Sequence, residues 1–105
     1  MIEDIAQELQ EAAERLERVG EGDTFAHVIL EASARELREE SKPKMHTVKI
    51  ILGSLLEPMP IDGRNLLEYE RDAARKRLGA SAAVGLAYHL ADDAVRHAVR
   101  ELGAL

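Results

Sequence analysis

Apolar residues recur at alternating intervals of three and four through the first nineteen positions: Ile2, Ile5, Leu9, Ala12, Leu16 and Val19. That spacing puts them on one stripe of an α-helix. Nearly every position between them is Glu, Gln, Asp, Arg or Ala. Such a helix cannot satisfy its stripe alone and must dock on others. Ala6 and Ala13 widen the stripe beyond a two-stranded coiled-coil seam, and it runs for under three heptads. The pattern therefore predicts one wall of a globular bundle rather than a zipper.

Four more helical stretches follow. Gly20-Glu21-Gly22 ends the first helix, and Asp23 or Thr24 caps a second from about Phe25 to Glu40. On that helix His27, Glu31 and Arg38 lie opposite Ile29, which predicts a solvent-facing strip. Ser41-Lys42-Pro43-Lys44 breaks the chain. A third helix spans about Met45 to Glu57. Val48, Ile51, Leu52 and Leu55 form one face, widened by Ile50 and Leu56, so this helix is expected at the centre. The loop Pro58–Gly63 leads to a fourth helix, about Arg64 to Leu78, with Asp62 or Gly63 near its cap. Gly79 closes it. Ser81 caps a fifth helix that reaches about Leu102, where Gly103 stops it. The fifth carries its own heptad seam: Val84, Tyr88, Ala91, Val95, Ala98 and Leu102. No segment shows the alternation of a strand. The expected fold is all-α, a bundle of about five helices, mostly antiparallel, forming a single domain over residues 1–105.

Composition narrows the chemistry. The chain has 105 residues, a net charge of −6, three aromatic residues (Phe25, Tyr69, Tyr88) and no Cys. Disulfides, thiolate metal sites and Cys nucleophiles are therefore excluded. The acidic balance favours solubility and disfavours sequence-independent nucleic-acid binding. Glu3 and Asp4 interrupt any leader-like apolar start, and no apolar run approaches membrane-span length. A cytoplasmic protein with no membrane partner is expected.

Few residues converge on recognisable chemistry. His89, Asp93 and His97 recur every four positions on the fifth helix and are the metal-ligand candidates, with the i, i+4 pair His27 and Glu31 repeating the motif. Both sets fall opposite apolar seams, so i, i+4 pairing on a solvated face is the simpler reading. On the fourth helix Glu70 and Arg77 sit within the apolar stripe Leu66, Leu67, Ala73, Ala74 and Leu78. If buried, each requires a partner; the alternative is a rotated helix with both charges at its edge. No nucleophile–base pair is evident, and no cofactor is expected.

Two resemblances are carried by short segments. The basic run Arg71, Arg75, Lys76 and Arg77, followed by Leu78-Gly79-Ala80-Ser81, faintly resembles the helix-turn-helix of DNA-binding repressors over Ala73 to about Tyr88. It departs from that pattern at Arg75 and Gly85. The resemblance implies a DNA-binding regulator using the helices near 64–78 and 81–102. Glu36-x-x-Glu39-Glu40 and Leu90-Ala91-Asp92-Asp93 are superficially similar to motifs of small all-helical, MazG-like nucleotide pyrophosphohydrolases. That implies a metal-dependent helical-bundle enzyme. The reading favoured over both is a helical protein–protein interaction or regulatory module, self-associating as a homodimer. Its expected contacts are the seams of the first and fifth helices: Ile2, Ile5, Leu9, Leu16, Val84, Tyr88, Val95 and Leu102.

Overall fold

The computed structural model describes residues 1–39, 45–79 and 81–104. Among the described residues five helices appear in chain order: α1 (Ile2–Arg18), α2 (Phe25–Leu37), α3 (Met45–Ser54), α4 (Leu66–Leu78) and α5 (Ala82–Ala104). Among the described residues there is no strand. The expected break at Ser41–Lys44, and Glu40, lie outside the described residues. None of the helices in the described residues is long and apolar enough to cross a membrane.

The antiparallel packing follows from who meets whom. Glu3, Gln7 and Gln10 of α1 hold Arg38 beyond the end of α2, while Glu17 meets His27 at its start. Glu8 bonds His97 of α5, while Arg15, Arg18 and Val19 line one cavity with Ala83, Leu86 and Ala87. Arg75 of α4 lies against Gly85 of α5, and Glu68 shares a cavity with Asp92 and Arg96. So α1 runs against both α2 and α5, and α4 runs against α5. The body measures 42 × 30 × 18 Å, its short axis about two helix diameters.

The α1 seam lies inside. Ile5, Leu9, Ala12 and Leu16 are buried, with Ala6 and Ala13 beside them. Ala87, Ala91, Ala94 and Ala98 give α5 a narrow buried face. Small side chains shorten the distance at which neighbouring helices pack. Leu30, Leu52, Leu55 and Val95 complete the densest part of the interior.

The pattern misplaces α3. Only Val48 and Leu52 are buried within it, while Ile50 and Ile51 are exposed. It sits at the edge of the bundle against α5 and α2, and the centre belongs to α1, α2 and α5. A helix apolar over most of its surface reads the same whether it is enclosed or leaves a sticky side open. Helix ends differ as well. The α4 cap is Asn65, whose side chain accepts from Glu68 N–H while Glu68 accepts from Asn65 N–H. Asp62, the expected cap, accepts from Arg64 N–H instead. Gly103 does not stop α5 but lies within it, beside the Lys49 side chain.

Candidate functional site

Two arrangements of side chains stand out, and the first positions the second. Gly20 ends α1 with φ 86°, and the bonds Gly20 N–H to Glu17 O (3.0 Å) and Glu21 N–H to Leu16 O (2.8 Å) form a Schellman motif. The residue after the glycine in this motif turns back over the helix end and is usually apolar. Here it is Glu21, only 2 % exposed. The Tyr88 hydroxyl donates to its Oε1 at 2.5 Å, and the Arg77 guanidinium pairs with its Oε2. Burial beside the Glu21 carboxylate holds the Tyr88 phenol far above its ordinary pKa, so it stays a donor.

Thr24 follows at once. Its hydroxyl donates to Glu21 O (2.8 Å) and accepts from His27 N–H (3.2 Å), capping α2. The next two orphan amides, Phe25 N–H and Ala26 N–H, donate to the two oxygens of Glu70 on α4, each at 2.9 Å. A carboxylate at a helix N-terminus completes amides that have no intrahelical partner and meets the positive end of the helix dipole. Burial, reinforced by the Glu21 charge, raises the Glu70 pKa, although the two amide bonds pull the other way. Every one of these polar groups is answered within the chain. The arrangement is a clasp joining the α1–α2 turn to α4 and α5, not a set of groups poised for chemistry.

What the clasp fixes is the rotation of α2, which carries two apolar stripes. Ala26, Leu30, Ala34 and Leu37 point into the core. Phe25, Val28, Ile29 and Ala32 form the other stripe, and Phe25 (70 % exposed) and Val28 stand open. The expected solvent-facing strip holds only in part: Glu31 is exposed, but His27 is buried, while Ile29 packs partly buried against the core and Val28 beside it faces out. Beside this stripe, Val28, Ala32, Glu36, Thr47 and Ile51 line an apolar groove of about 280 Å³ between α2 and α3. At the other end Phe25, Tyr69 and Arg77 share a cavity with the clasp. Arg64 lies over the Tyr69 ring, 5.3 Å from its centroid.

The remaining sequence candidates resolve as follows. Ile5, Leu9, Leu16, Val84, Tyr88, Val95 and Leu102 are buried within this chain, and Ile2 packs at the edge of the same core. They hold α1 and α5 together and leave no seam for a partner. Glu70 is buried, and the Phe25 and Ala26 amides are the partners its burial needs. Arg77 is not, since its side chain is 58 % exposed and only its tip reaches Glu21. His89 faces solvent 3.5 Å from Asp93, whereas His97 turns to Glu8 of α1 at 2.7 Å. The three therefore do not converge. Among the described residues no group of three His, Cys, Asp or Glu side chains could hold a metal ion. Glu36, Glu39 and Asp92 line three different cavities and share no site. Of the basic run, Arg71 pairs with Asp72 and Arg77 with Glu21. The outward α2 stripe escaped sequence reading because two stripes on one helix leave its rotation ambiguous. The spacing of Phe25, Val28, Ile29 and Ala32 was the available signal. Comparison with protein-family models, curated proteins and solved structures finds no match to the chain.

Proposed function

We propose that this protein is a non-catalytic helical interaction module that self-associates through the outer stripe of α2. The observation that carries the reading is the pairing of a knob and a hole on one face. Phe25 projects from the start of α2, and the α2–α3 groove opens beside the same stripe further along the helix. A two-fold axis near Val28, with the two α2 helices antiparallel, lets each Phe25 enter the groove of the other copy. Such an isologous contact uses one patch twice.

The size of the patch sets the strength. A patch confined to one helix face and its groove is small beside the roughly 1,200–2,000 Å² of stable specific interfaces, and contacts below about 1,200 Å² are typically weak and transient. The dimer is therefore weak and concentration-dependent. Buried aromatic anchors dominate such contacts, so Phe25 is the residue to remove. Sedimentation equilibrium of the native chain should show a reversible monomer–dimer equilibrium, and Phe25→Ser should be monomeric with unchanged helix content and melting temperature. A native chain that stays monomeric at every concentration reached, or a Phe25→Ser variant that dimerises as well as the native chain, would overturn the proposal.

A further inference from the structure

Another side of α2 carries a separate cavity. It lies between α1 and α2, has a volume of about 590 Å³ and includes His27, Glu17, Glu31 and Glu14 in its lining. Its floor is the buried pair Ala13 and Ala34. His27 is only 9 % exposed, yet neither ring nitrogen has a hydrogen-bond partner. A buried polar group left unanswered is destabilising, so an imidazole placed here without a partner is unusual. Its Nε2 faces Glu31 Oε2 at 3.4 Å and Glu17 Oε2 at 3.8 Å. Among the described residues no Arg or Lys forms a salt bridge with either carboxylate.

We infer that this cavity binds a primary alkylammonium group. Such a head has three N–H donors and no acceptor. The site offers carboxylate acceptors from two helices, one oxygen each of Glu17 and Glu31, with Nε2 of His27 buried behind them. Ala13 and Ala34 give the alkyl stem an apolar bed. Arg35 and Arg38 line the same cavity and disfavour a second ammonium, so a single cationic head fits better than a polyamine. Two sources present that chemistry, a free alkylamine and a lysine side chain.

The test follows the imidazole and backbone signals of His27 by NMR at about pH 8, where a primary alkylamine is protonated. The probes are n-butylamine, Nα-acetyl-lysine amide and zinc ion, each titrated into the native chain. A saturable shift centred on His27 is expected with at least one amine. Affinity about tenfold higher for the lysine amide assigns the site to a peptide-borne lysine, and equal affinity assigns it to a free amine. Glu31→Gln and Glu17→Gln alter exposed side chains and leave the fold intact, and together they should weaken binding by about tenfold or more. Shifts that fail to saturate, shifts that persist unchanged in the double variant, or a response to zinc alone would overturn the inference.

Discussion

Glu21 stands one residue past a helix-terminating glycine, where an apolar side chain normally folds back over the helix end. Its burial is tolerable because Tyr88 and Arg77 answer both carboxylate oxygens. The stability of that corner therefore rests on the donors rather than on Glu21 itself. Removing one hydroxyl isolates this effect. Tyr88→Phe keeps the ring that fills the core and leaves Glu21 Oε1 without its donor. Chemical denaturation should show a loss of about 1–3 kcal/mol, larger than the loss of a hydroxyl from an exposed tyrosine such as Tyr69. An unchanged midpoint would mean that the Tyr88–Glu21 bond contributes nothing to the fold.

At the scale of the element, α2 is oriented by a residue 44 positions away. Glu70 takes the first two amides of α2 while Thr24 takes the third. This arrangement makes the helix start sensitive to the protonation of one carboxyl. The Glu70 pKa in the folded chain is raised above its ordinary 4.5 by burial. A carboxyl raised on folding adds stability that is full below its unfolded pKa and is lost as pH rises through its folded pKa. The difference in unfolding free energy between the native chain and Glu70→Gln should therefore shift in favour of the native chain as pH falls from neutrality towards 4.5. A shift in the opposite direction would show that the amide bonds outweigh burial.

The elements also show how far the sequence could be read. The α1 seam was legible because its flanks are polar, leaving one face for the core. The seam of α5 was legible from its heptad spacing, although Leu86, Leu90 and Val99 lie outside it. The sequence pattern marked Glu70 as a charge in an apolar stripe, but not its partners, since main-chain amides carry no sequence signature. The clasp at Glu21 was hidden by a Gly-Glu-Gly turn that reads only as a helix stop. The rotation of α2 and the peripheral place of α3 share one cause. Each helix has more apolar surface than one interior contact can cover, and periodicity alone does not say which part stays outside.

At the scale of the whole molecule, α1 and α5 close on each other and the clasp locks the α1–α2 turn to α4 and α5. The core thus takes up the seams that first suggested partners, and the open apolar surface moves to α2 and the edge of α3. The chain has 105 residues and no Cys, so one introduced thiol reports on one place. Val28→Cys puts that thiol beside the proposed two-fold axis, and His89→Cys puts it on the exposed side of α5. Under mild oxidation, the proposal predicts rapid, near-complete disulfide dimerisation of Val28→Cys and little of His89→Cys. Adding Phe25→Ser should abolish the difference. Equal cross-linking at the two positions, or none at Val28→Cys, would contradict self-association through α2.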